Sequence, residues 1–219
     1  MEEYESELYS IHNNSIDVID SGYKDVIAKV PKLVAGMSLT VLFSFKSNKR
    51  IDDAVDKEIA SQFSLMEKTI HINISSAFDL SDGKIQNLTN SLFIKNNKPP
   101  VKVKFRDDSQ VKSFISTKTD GFTFSQRIWN VSSQFKSELE SAVSAAVEKG
   151  LTHEQVARQI QKYLNNPDMR FRRIRDKFGD LKPSSKALTY NPGQGIYRSS
   201  RQNAIRLARE AVNRGYREA

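Results

Sequence analysis

Residues 123–150 read TFSQRIWNVSSQFKSELESAVSAAVEKG, and residues 151–164 continue as LTHEQVARQIQKYL. Thr123 and Gln126 stand at the spacing of a reciprocal helix N-terminal cap. Phe135, Leu139, Ala142, Val143 and Ala146 then recur at helical intervals until Gly150 supplies a stop. Thr152 and Gln155 repeat the capping spacing, and Val156, Ala157, Ile160 and Leu164 form the next apolar face before Asn165-Asn166-Pro167 breaks it. The pattern predicts a helix, a tight turn and a shorter helix packed antiparallel to the first. It sets the fold class as mainly α.

Toward the N-terminus the apolar positions Leu8, Ile11, Ile16, Val18, Ile19, Val26, Ile27, Val30, Leu33 and Val34 are spaced as in helices, with Pro31 expected to end or kink the pattern. From Asp52 to Lys68, Ile51, Ala54, Val55, Ile59, Phe63 and Met66 fall on one stripe while Asp53, Asp56, Lys57 and Gln62 fall opposite, which predicts an amphipathic helix. Ser75–Lys98 carries a weaker helical stripe at Ile85, Leu88, Leu92 and Phe93, closed by Pro99-Pro100. Val101-Lys-Val-Lys-Phe105 alternates as a short strand would. These shifts divide the chain into a helical N-terminal region, 1–106, and a second region, 107–219.

Beyond Pro167, Phe171–Leu181 alternates with a turn signal at Lys177-Phe-Gly-Asp180, and a small β-hairpin is expected near 171–182. The last element starts at Ser199 or Ser200, with Ser199 and Gln202 again at capping spacing. Its apolar stripe is Ala204, Ile205, Ala208, Ala211, Val212, Gly215, Tyr216 and Ala219; its basic stripe is Arg206, Arg209, Arg214 and Arg217. That helix reaches Ala219 without a capping signal, so the parent protein is expected to continue.

Charge is unevenly distributed. Residues 151–219 hold 15 Lys and Arg against 6 Asp and Glu, whereas residues 1–150 hold 19 against 20. The basicity belongs to one end, which points to a specific anionic or acidic partner. The chain has no cysteine, which excludes thiol catalysis, thiolate metal sites and disulfides, and fits synthesis in a reducing cytoplasm. No apolar run approaches the roughly 18 residues of a membrane span. The first residues, with Glu2, Glu3, Glu5 and Glu7, are acidic where a secretory signal is basic.

A catalytic reading finds little. His12, His71 and His153 stand far apart, and none belongs to a zinc-binding pattern. Gly193-Gln-Gly195 lacks the lysine and the preceding strand of a phosphate loop and reads as a turn. Asp107-Asp108 and Asp52-Asp53 with Asp56 are the acidic pairs that turns and helix starts carry. The expectation is therefore a protein that is not an enzyme, with no catalytic residues, no metal, no cofactor, no small-molecule substrate and no membrane partner.

The arginines are the strongest constellation. Arg170, Arg172, Arg173, Arg175 and Lys177 lie close together with Phe171 and Phe178 nearby, a mixture suited to nucleic-acid phosphates or to carboxylates across a protein interface. On a hairpin, Arg173 and Arg175 share a face with Phe171 while Arg172 turns away with Ile174, which favours protein contact over one continuous DNA patch. Arg170, Arg172, Arg173, Arg175, Arg198, Arg201, Arg206, Arg209 and Arg217 are the expected partner- or DNA-binding residues.

The order of motifs carries a resemblance. Thr119-Asp-Gly-Phe-Thr-Phe-Ser-Gln-Arg-Ile-Trp-Asn130, Gly150-Leu-Thr-His-Glu-Gln-Val-Ala-Arg-Gln-Ile160, Tyr163-Leu-Asn-Asn-Pro-Asp168, Tyr190-Asn-Pro-Gly-Gln-Gly-Ile-Tyr-Arg-Ser-Ser-Arg-Gln-Asn-Ala204 and Arg206-Leu-Ala-Arg-Glu-Ala-Val-Asn-Arg-Gly-Tyr216 together resemble the phage head morphogenesis, or minor head protein, family (Mu F-like), in the form carried by phages and prophages of Bacteroides-type bacteria. The likeness covers about residues 110–219. It implies a structural virion component present in few copies, bound to portal and capsid proteins, made in the host cytoplasm and supporting head assembly or DNA packaging and delivery. Double-stranded DNA is a further partner it allows. Where the family's last helix reads Ala-Arg-Thr-Glu, this chain has Ala208-Arg209-Glu210-Ala211, so the family's glutamate is displaced, and Glu210 is expected to pair with Arg206 or Arg214 one turn away. A nucleic-acid-binding module is the alternative function, and a non-catalytic part of a phage-delivered effector the third.

Overall fold

A computed structural model describes residues 2–34, 44–102, 108–119, 121–165, 173–175, 177, 181–183 and 199–218. The fold is mainly α. In chain order come α1 (Glu2–Val34), a 3-10 turn (Phe45–Ser47), α2 (Lys49–Lys95), α3 (Asp108–Ser116), α4 (Phe124–Glu148), α5 (His153–Asn165), β1 (Arg173–Arg175), β2 (Leu181–Pro183) and α6 (Ser200–Glu218). β1 and β2 pair antiparallel with Ile174 opposite Lys182. Residues 171–172, 176 and 178–180, and the side chains of both strands, lie outside the described residues, as do residues 103–105 of the alternating Val101–Phe105 stretch.

One helix passes its proline without ending, and another departs from the expected pattern. α1 continues through Pro31 to Val34. Proline removes one N–H from the helical ladder, but only three residues follow it here, and Val30, Pro31 and Val34 are all buried, so the apolar face outweighs one lost bond. α2 is a single helix of 47 residues in place of two. Buried positions recur along it without interruption at Phe63, Met66, Ile70, Ile74, Ala77 and Phe78, and the polar Asn73 among them donates to the Ser15 hydroxyl at 2.7 Å and to Asn14 Oδ1 at 3.1 Å. The distal stripe does not face a core, since Leu88 and Leu92 are 58% and 60% exposed. Asn97 ends the helix in the left-handed conformation (φ 55°), with Lys98 N–H donating to Phe93 O at 2.9 Å, before Pro99 is reached.

The chain forms two compact units, each assembled from separated segments. The first unit joins Met1–Ile19, Leu65–Ile128 and Ile205–Ala219. Its core includes Ile70, Ile74, Phe78, Val111, Ala208, Ala211 and Val212, with the Phe114 ring set edge-on to Phe78 at 5.2 Å. Gly215 of α6 lies so close to α2 that a Cβ there would stand 3.3 Å from Ile74 and Phe78 atoms. The position 106/107 falls inside the Leu65–Ile128 segment.

The second unit joins Asp20–Ser64 and Trp129–Ala204. Tyr23 of α1, Phe63 of α2 and Phe135 of α4 form a buried ring cluster with centroids 4.3–6.3 Å apart. Val156, Ile160, Tyr163 and Leu164 supply the buried face of α5. Two of the three predicted reciprocal caps form in full: Thr123 with Gln126 at 2.9 and 3.2 Å in the first unit, and Thr152 with Gln155 at 2.9 and 3.3 Å in the second. Gly150 adopts φ 63° at the end of α4.

Candidate functional site

α6 is the element on which the sequence expectations converge. At 100° per residue, Arg206, Arg209 and Arg217 fall within about 80° of its circumference. The opposite face holds the buried Ala204, Leu207, Ala208, Ala211 and Val212. Small residues on that face let the helix seat closely, and the long cationic side chains are left outside.

The start of α6 belongs to the second unit and is fixed by a buried carboxylate. Glu138, 5% exposed, accepts the Ser200 backbone N–H at 3.0 Å, the Ser200 hydroxyl at 2.5 Å and Gln134 Nε2 at 2.9 Å. The first turn of a helix leaves N–H groups without intrahelical partners and carries a partial positive charge, so an anion is favoured there. The Ser199 hydroxyl donates to Leu164 O at 2.7 Å and accepts Gln202 N–H at 3.3 Å, while the Gln202 side chain reaches Asn165 O at 3.4 Å. The predicted cap at Ser199 is thus one-sided. Burial pushes the Tyr23 phenol well above its usual range, with Ser200 acting against that shift. Arg201, one of the expected contacts, is committed internally: Nε and Nη2 donate to the two oxygens of Asp20 at 2.8 and 2.9 Å.

Ile205–Ala219 belongs to the first unit. Glu210 is held bidentately by Arg127 of α4 at 3.2–3.4 Å, and it also lies 3.5 Å from Arg206. Of the two expected partners it therefore has Arg206, whereas Arg214 turns to Glu218 at 3.0 Å, to the Thr119 hydroxyl at 2.9 Å and over the Phe114 ring. Arg209 and Arg217 are exposed, and among the described residues neither has an acidic partner. Arg206 is half exposed.

Of the nine expected arginines, the side chains of Arg201, Arg206, Arg209 and Arg217 are described. Arg170, Arg172 and Arg198 lie outside the described residues, and of Arg173 and Arg175 only the strand backbone is described. Sequence reasoning missed Glu138, whose only sign is a glutamate on the same helical face as Phe135 and Val131. It also missed Arg127. The Asp52 and Asp56 carboxylates bind Lys136 at 2.7 and 2.6 Å, so the acidic group at the start of α2 already holds a cation. Burial disfavours the Lys136 charge, but those two carboxylates outweigh it and hold its pKa above the usual lysine value. Among the described residues no His, Asp and Glu cluster could hold a metal ion, and no helix is long and apolar enough to cross a membrane.

Compared with known protein families, with curated proteins and with solved structures, the chain matches none of them.

Proposed function

We propose that this chain is a phage minor head protein that binds acidic surfaces of portal or capsid subunits through the outer face of α6, supporting head assembly or DNA packaging and delivery. The observation that carries the reading is the division of α6, whose alanine face is buried while Arg206, Arg209 and Arg217 stand outside. Arginine on a rigid helix suits bidentate pairing with carboxylates of a partner. The mainly α fold and the ordered motifs of residues 119–216 support the same reading. Its setting is the phage head, after assembly in the host cytoplasm.

The test is co-purification of the full-length chain with portal and capsid proteins, comparing the natural sequence with R209E/R217E. Removing α6 would be uninformative, because it supplies buried residues to each unit. Loss of co-purification with helicity retained supports the proposal, and equal recovery of both proteins overturns it. Duplex DNA is the competing partner, because the same exposed guanidinium groups fit phosphates. Binding to duplex DNA that weakens steeply with salt, joined to indifference toward portal and capsid, would transfer the assignment to nucleic acid.

A further inference from the structure

A groove of about 520 Å³ opens in the first unit between α1 and α2, and its chemistry is opposite to that of α6. Glu7 and Asp79 face it from its two sides, Ile11 and Leu80 give it apolar walls, and Tyr4 adds a ring. Gly83 lines it as well, and a Cβ built there would meet nothing within 4 Å. Glycine inside a helix costs about 0.5–1 kcal/mol relative to alanine. Here it keeps a length of groove open, while its carbonyl accepts the Tyr4 hydroxyl at 3.4 Å and Asn87 donates to that same hydroxyl.

We propose that this groove binds an arginine or lysine side chain presented by a basic peptide segment of a partner protein. Such side chains combine an apolar stem with a charged tip, which matches apolar walls bordered by two carboxylates. The tyrosine ring adds a surface on which a guanidinium stacks. Charge complementarity extends beyond the groove: residues 1–19 contain Glu2, Glu3, Glu5, Glu7 and Asp17 and not one lysine or arginine, in a chain whose net charge is +8. This inference stands independently of the head-protein reading.

The experiment measures fluorescence anisotropy of a short labelled peptide of alternating arginine and leucine with the full-length protein. The control is the same peptide carrying citrulline, which keeps the shape and lacks the charge. The arginine peptide should bind, more weakly as salt rises. E7Q/D79N should weaken binding roughly fivefold or more, on the scale of one to two exposed ion pairs. G83L should abolish binding by filling the groove while its thermal melt stays at or above that of the natural sequence. Equal binding of the citrulline peptide, or binding unchanged in a folded G83L, overturns the proposal; should G83L fail to fold, unchanged binding by E7Q/D79N overturns it alone. Displacement of the peptide by an equal concentration of spermidine would overturn the peptide assignment in favour of a free polyamine.

Discussion

The Glu138 carboxylate accepts both the backbone N–H and the hydroxyl of Ser200, 62 positions later in the chain, at 3.0 and 2.5 Å. A buried anion at a helix start satisfies donors that would otherwise be stranded. Glu138→Ala removes that acceptor and leaves a cavity, and is expected to cost about 3 kcal/mol. Glu138→Gln keeps one acceptor and should cost less. Urea unfolding with an unchanged slope reports both values, and equal stability of the alanine variant would falsify this role for the carboxylate.

Arg201 and Asp20 form a two-point pair with 20% and 27% of their side chains exposed. A double-mutant cycle with Arg201→Ala and Asp20→Ala should return a coupling of about 1 kcal/mol, since the geometry is better than that of a typical surface pair while water still reaches it. A coupling indistinguishable from zero would mean that Arg201 is available to a partner after all.

Burial lowers the His71 pKa, with the charge of Glu67 working the other way. In the unfolded chain the ring binds its proton near its usual value of about 6.5. As pH falls through that value the unfolded state takes up a proton that the folded state resists, so stability falls with acidification. His71→Phe should flatten the stability profile between about pH 7 and pH 5. An identical slope in the variant would assign the acid sensitivity to other groups.

Two helical glycines should respond in opposite directions. Gly83→Ala fills open space and should stabilise by about 0.5–1 kcal/mol. Gly215→Leu drives atoms into Ile74 and Phe78, which would already stand 3.3 Å from a Cβ at that position, and should destabilise by about 1–3 kcal/mol. Thermal melts of the two variants should shift up and down respectively; a shift in the same direction contradicts the packing argument.

Much of the helical content was legible because its signals are local. Capping pairs three residues apart and stripes such as Phe135, Leu139 and Val143 act within one or two turns, and the structure has them as read. What could not be read depends on partners far along the chain. The buried Asn73 of α2 finds its hydrogen-bond partners in Ser15 and Asn14, 58 and 59 positions earlier. Glu210 looks like a one-turn partner for Arg206 or Arg214, yet its bidentate partner is Arg127, 83 positions away. Leu88 and Leu92 have helical spacing and no core beneath them, and spacing alone does not distinguish a buried stripe from an exposed one. For the basic constellation, sequence placed Arg201 beside the exposed arginines, although Asp20 had claimed it.

On the ribosome, both units wait for the same helix. Residues 199–204 complete one unit and residues 205–219 the other. A nascent chain halted at Asn165 has helices α1 to α5 in hand, yet each unit still lacks its portion of α6, so Glu138 has no Ser200 to cap and Ile74 has no Gly215 to pack against. Neither unit has its full set of buried residues until α6 has been synthesised, so the earliest-made segments of both are completed by a helix made long after them.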